Sequence, residues 1–506
     1  MNSNLFARLE STITNPSKLA IECQDGARYS YGDLLSLSAR VANAFVALGV
    51  RPGDRIAAQV EKSIHALVVY LAALRAGAVY LPLNTAYTLA ELEYFIGDAE
   101  PSLIVCDPSN EADLATLTAG KKAAVATLGG DGDGSLCRAA LAYPASFETV
   151  HRAADDLAAI LYTSGTTGRS KGAMLTHANL MTNALTLKDA WRFTERDILI
   201  HALPIYHTHG LFVASNVTLL SGASLLFLPK FDADAIVDGM ARATVLMGVP
   251  TFYVRLLQHP GLTRKAVGRM RLFVSGSAPL LAETHRNWKA KTGHAILERY
   301  GMTETNMNTS NPYDGDRVAG AVGPALPGIS VRVTEPESGK ELPRDEVGMI
   351  EVKGPNVFKG YWRMPEKTAA EFRPDGFFIT GDLGRIDQRG YVHIVGRGKD
   401  LIISGGFNVY PKEIESEIDA IDGVHESAVI GLPHSDFGEG VVAVVVPTKR
   451  VALDERSVLG ALDGRLAKFK LPKRIVFADE LPRNAMGKVQ KNLLRERYSG
   501  IFASPR

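Results

Sequence analysis

Short apolar runs alternate with helix-length patterns over most of this 506-residue chain, at 103–106, 198–203, 224–228, 245–249 and 272–275. That alternation predicts an α/β fold with largely parallel sheets. The chain is too long for one core, so two or more domains are expected. The run 66–83 reads as a buried helix entering a strand; Arg75, Gly77 and Pro82 interrupt it too often for a bilayer span. Residues 107–150, rich in Ala, Gly and Asp with GGDGDG at 129–134, are expected to add turns and loops but little core. From about Val322 the texture changes to short strands punctuated by Gly and Pro, which predicts a smaller β-rich unit with a hairpin turning at Gly390. After residue 400 the tail has its own core signals. Pro411 opens a helix carrying Ile414, Ile418 and Ile421 on one face, and a strand at 441–446, a helix at 456–468 and a strand at 474–477 follow. A domain boundary is expected near residue 399, separating 1–398 from 399–506.

A hydrophobic content of 46%, a charged content of 22% and a formal net charge of +1 describe an ordinary globular protein. The near-neutral balance argues against nucleic acid or a membrane surface as the main partner. The first ten residues lack the basic-then-apolar pattern of a secretory leader. Cys23, Cys106 and Cys137 have neither metal-like spacing nor pairing logic, so a reducing, cytoplasmic setting is expected.

The stretch 161–175, LYTSGTTGRSKGAML, carries the first chemistry. Thr163, Ser164, Gly165, Thr166, Thr167 and Gly168 offer hydroxyls and exposed backbone N–H groups, and Arg169 and Lys171 add two cations. A polyphosphate needs that combination. The spacing is not that of the Walker loop, because Ser170 stands where that motif has Gly before the Lys.

Further motifs follow in order: VSGSAPL at 274–280, RYGMTET at 299–305, ITGDLG at 379–384, GRGKD at 396–400, SGGFNVYP at 404–411 and PRNAMGKVQK at 482–491. Together they resemble the acyl-adenylate-forming superfamily, over essentially the whole chain. The resemblance implies a large N-terminal domain of two α/β sheet subdomains plus a β-rich subdomain, and a small mobile α+β C-terminal lid. It also implies a carboxylic acid activated by ATP with Mg²⁺, then passed as an acyl group to coenzyme A. Residues Thr163 to Gly168 and Lys171 would cradle the phosphates, Ser277, Ala278, Tyr300, Gly301 and Met302 would flank the nucleotide, and Thr303 would contact the α-phosphate. Glu304 and Thr166 would hold Mg²⁺, while Asp382, supported by Arg397, would accept the ribose hydroxyls. Lys488 would bridge carboxylate and α-phosphate, with Lys399 at the hinge and Ser404, Gly405, Gly406 and Phe407 along the coenzyme A channel. Lysines matching Lys488 are controlled by acetylation in similar enzymes, which implies a lysine acetyltransferase and a deacetylase as partners.

The acid is narrowed by Arg299, His207 and Ser275, with Arg286 as an alternative clamp. A bulky cation directly before YGMTE removes depth for a long chain and offers a planar fork to a second carboxylate. With ERYGMTETNMNTS at 298–310 and LPIYHTHGLF at 203–212, the pocket resembles that of superfamily members acting on malonate, with methylmalonate a slower substrate and Met307 a wall against larger substituents. Ligases for other short or aromatic acids, and a nucleotide-binding protein without turnover, are the competing readings.

Overall fold

The computed structural model describes residues 2–163, 170–405, 407–434, 436–448, 453–484 and 487–502. The chain divides into two units, one of Met1–Ser330 with Val352–Phe378, the other of Val331–Glu351 with Ile379–Arg506.

The first unit holds two large sheets. In the seven-stranded sheet, Leu157–Thr163, Val79–Pro82, Arg55–Gln59, Leu103–Cys106 and Ala124–Thr127 run parallel, and Lys171–Thr176 and Gly360–Tyr361 are added antiparallel. In the eight-stranded sheet the order is Asn306–Ser310, Leu297–Met302, Leu272–Ser275, Val245–Gly248, Ile198–His201, Ser224–Phe227, Leu19–Cys23 and Arg28–Ser30. Only the two outermost pairings are antiparallel. The α/β expectation holds, for the reason the sequence suggests: strands buried on both faces read as unbroken apolar runs. Ile64–Arg75 is a helix buried along its whole length, capped by the Ser63 side chain on the Ala66 amide, and it leads into Val79–Pro82.

One expectation fails. The stretch 107–150 supplies Ala124–Thr127 as the edge of the seven-stranded sheet, flanked by the helices Glu111–Leu117 and Ser135–Leu141. Leu114, Ala126, Leu128 and Leu136 are buried there. An edge strand needs one good neighbour and a few small apolar side chains, so its pattern is weak.

The second unit contains a four-stranded sheet, ordered Ser330–Thr334, Gly348–Lys353, Phe378–Ile386 and Val392–Arg397, the last two paired antiparallel. Its other sheet is led by the long antiparallel pair Val424–His434 and Gly438–Pro447, with Arg474–Phe477 added parallel. Pro411–Asp419 packs Ile414 and Ile418 onto that sheet, as their spacing predicts. The helix expected at 456–468 is shorter, Glu455–Leu462. Gly464, at φ +75°, and an extended Asp463 end it. Among the described residues no helix is long and apolar enough to cross a membrane.

Candidate active site

In the first unit, Leu157–Thr163 and Lys171–Thr176 pair antiparallel up to Thr163 opposite Lys171, so the two ends of the hydroxyl- and glycine-rich stretch are side by side. Ser164, Gly165, Thr166, Thr167 and Gly168 lie outside the described residues. At its C-terminal root, the Tyr94 hydroxyl donates to the Ser170 carbonyl at 2.7 Å. Lys171 stands 3.0 Å from Glu371 and 4.0 Å from the centroid of the Tyr361 ring. Gly172 admits no side chain, because an added Cβ would lie 2.9 Å from Ile160.

Leu272–Ser275 and Leu297–Met302 lie side by side and parallel, and their C-terminal ends deliver Ser275 to Ala278 and Arg299 to Glu304 to one edge of the sheet. Open α/β sheets bind ligands at that edge. Ser277 takes a left-handed φ of +70°, and its hydroxyl is 3.2 Å from Nδ1 of His209. Gly301 is needed where the chain turns back into Asn306–Ser310: an added Cβ would collide with the Asn306 carbonyl and approach Met307 Cε to 2.6 Å. Tyr300, Met302 and Thr303 are half-buried beside it. Glu304 is 6% exposed, and its Oε1 is 3.1 Å from the Tyr361 hydroxyl, which also lies 2.7 Å from Glu371.

Arg299 is the most unusual group. It is 3% exposed, its Nε and Nη2 have no hydrogen-bond partner among the described residues, and its guanidinium is packed against Gly276 so tightly that a Cβ there would clash. Burial pulls it down to about 9, still charged at neutral pH. Glu298, next along the strand, accepts from the Gly320 amide. Burial, and then the Arg299 charge, press His207 down to about 4, and His209 is lowered in the same way. Both imidazoles are therefore neutral at pH 7. Thr208 Oγ1, His209 Nε2 and Ser275 Oγ are also buried without a partner among the described residues. Buried polar atoms are nearly always bonded, so this concentration of orphans marks a place for a ligand. Met307 is buried on the neighbouring strand, while Arg286 is exposed on the helix Ala282–Thr292.

In the second unit, Asp382 and Arg397 are cross-strand partners, with Arg397 Nε 2.7 Å from Asp382 Oδ1. Thr380 Oγ1 accepts from the Asp382 amide. Lys399 lies in the turn Gly398–Asp400, where burial lowers its pKa, and Asp400 is held by Arg495 at 2.6 Å. Lys488 sits in a small hairpin in which its amide donates to the Asn484 side chain and its carbonyl accepts from the Asn484 amide. Burial, then repulsion from Arg397, brings it down to about 8. Ser404 is buried, Gly405 has φ +58°, and Phe407 is 55% exposed and stacked on Phe469 at 4.6 Å. Gly406 lies outside the described residues.

Sequence reasoning missed Tyr361 and Glu371. Both belong to the segment after Val352 that folds back onto the loop strand, and KGYWR at 359–363 carried no signal of that return.

An AMP-binding enzyme profile matches residues 10–362, and an AMP-binding enzyme C-terminal domain profile matches 413–488. The chain belongs to the AMP-binding enzyme family. ATP-bound MatB from Rhodopseudomonas palustris is similar at 71% identity and a TM-score of 0.98, with 99% of this chain and 100% of that one covered. The malonate–CoA ligase of Arabidopsis thaliana is 34% identical over 95% of this chain and 86% of its own length. A feruloyl-CoA synthase from Amycolatopsis sp is 37% identical over 94% of each. Identity near 35% thus spans quite different acids, and the pocket must decide.

Proposed function

We propose that the protein is an AMP-forming malonate–CoA ligase: one carboxylate of malonate attacks the α-phosphate of ATP, pyrophosphate leaves, and the thiol of coenzyme A displaces AMP from malonyl-AMP to give malonyl-CoA. The carrying observation is the buried Arg299, whose Nε and Nη2 find no partner among the described residues, beside Thr208, His209 and Ser275. A monocarboxylic acid would leave that guanidinium unpaired, at a cost of several kcal/mol. A second carboxylate satisfies it through a two-pronged contact. Because His207 and His209 are neutral, Arg299 supplies the pocket's charge and the histidines supply shape and single hydrogen bonds.

The first step needs positioning and positive charge more than a nucleophile. Lys488 provides the charge that both the attacking carboxylate and the α-phosphate require, Lys171 takes the terminal phosphates, and Asp382 accepts the ribose hydroxyls. Glu304, with Thr166 (outside the described residues), would hold Mg²⁺, which would neutralise phosphate charge when bound, while the Thr303 hydroxyl meets the α-phosphate. Rotation at Lys399 then withdraws Lys488 and brings Ser404 to Phe407 to the acyl group, making 399–506 the moving lid. Acetylation of Lys488 would remove the charge needed for adenylation alone, and a cytoplasmic enzyme is open to such control.

The test is pyrophosphate release with ATP, Mg²⁺ and coenzyme A across acetate, propionate, malonate, methylmalonate, succinate and octanoate. Malonate is expected to lead, with methylmalonate behind it. Preference for acetate or octanoate would refute the assignment of Arg299.

A further inference from the structure

Lys171 is already engaged. Its ammonium is 3.0 Å from Glu371 and lies over the Tyr361 ring, with both charged side chains about four-fifths buried (18% and 19% exposed). Glu371 in turn caps the short helix Pro365–Ala370, takes Lys367 at 2.8 Å and has the Tyr361 hydroxyl at 2.7 Å. We propose that Glu371 is a positioning residue that holds Lys171 while no nucleotide is bound and surrenders it to the triphosphate, competing with ATP for the same cation. This rests on the reading of Lys171 as a phosphate lysine.

The physical case lies in what remains when Lys171 leaves. A largely buried carboxylate stripped of its only cation would resist the exchange, because an uncompensated buried charge is costly. Glu371 keeps Lys367 and the Tyr361 hydroxyl, so it stays neutralised. These contacts, with Lys171, hold its carboxyl below the usual range even though burial pushes it up. The exchange is therefore easy to reverse, and Lys171 is kept folded against Tyr361 between turnovers instead of sampling many rotamers. The pairing also ties the root of the phosphate loop to the segment carrying Tyr361, whose hydroxyl reaches Glu304 at 3.1 Å.

Calorimetric titration of the full-length protein with MgATP, without acid or coenzyme A, tests this. Lys171→Ala should weaken binding. Glu371→Gln should tighten it about fivefold, the size of one modest ion pair. Glu371→Asp should fall back towards wild type, and Glu371→Gln should have no effect in the Lys171→Ala background. Lys367→Met should weaken ATP binding, since Glu371 would then lose its remaining cation on release; this variant decides the matter if Glu371→Gln fails to fold. Unchanged or weaker binding in a folded Glu371→Gln protein would overturn the hand-over while leaving the phosphate role of Lys171 intact. Unchanged binding in Lys171→Ala would remove that role and the proposal with it.

Discussion

Arg271 and Arg299 belong to adjacent segments of one sheet and are treated in opposite ways. Arg271, just before Leu272–Ser275 at the N-terminal edge, meets Asp197 through two contacts of 2.7 and 2.8 Å and donates to the carbonyls of Trp191 and Arg192. Burial alone would lower it, but Asp197 outweighs burial and raises it. Arg299, towards the C-terminal edge of the next strand, has two nitrogens with nothing to donate to among the described residues. An arginine that holds a fold together is satisfied within the protein; one left with unpaired nitrogens has donors to offer a ligand. The difference follows the sheet, whose C-terminal edge is where an α/β fold leaves room.

The strongest way to break this contrast is Arg299→Met. Malonate kcat/KM should fall by about 10⁴-fold, the scale on which a site built for a polar group rejects its absence. The melting temperature should hold or rise, because an unpaired buried charge has been removed. A large loss of stability would place Arg299 with Arg271. Lys488→Ala, a cation lost from the second unit, should reduce adenylation by about 10³-fold yet leave conversion of supplied malonyl-AMP and coenzyme A to product. Equal loss in both half-reactions would end the idea of a lid that changes partners. Arg271→Met should show the reverse of Arg299→Met: about 3 kcal/mol of stability lost on chemical denaturation because Asp197 is stranded, with the ranking of acids unchanged.

The pH dependence sharpens the comparison. With Lys488 near 8 in the folded protein and 10.5 as its ordinary value, the unfolded chain holds a proton that the folded one lacks across that window. Stability from this group therefore rises with pH between about 8 and 10.5, while adenylation, which needs the cation, falls roughly tenfold per unit above about 8. A pH–rate profile of pyrophosphate release that stays flat to pH 9.5 would contradict it. The smallest effect belongs to Met307, an apolar neighbour of the charged pocket: Met307→Ala should raise methylmalonate turnover by about tenfold or less. Unchanged turnover would remove Met307 from the pocket wall.

Much of this was legible in the residue order. Parallel strands announce themselves as unbroken apolar runs, and Ile414 and Ile418 repeat at helical spacing because one face of that helix is buried. The strand Ala124–Thr127 was not legible, since a short edge strand of small residues differs little from loop. The early stop at Leu462 could have been read from Gly464. The Lys171–Glu371 and Tyr361–Glu304 contacts lie 200 and 57 residues apart in the chain, and no local period encodes such distances.

The sequence by itself determined the α/β class, the order of the nucleotide motifs and the presence of a cation beside the acyl motif, because these depend on residue type and spacing along the chain. Only the tertiary structure decided that Arg299 is buried with two nitrogens unpaired among the described residues, that Arg271 is satisfied and that Lys171 is held by Glu371. Whether a charge is paired depends on which distant segments fold against it, and the same arginine in the same local sequence can be structural or functional accordingly.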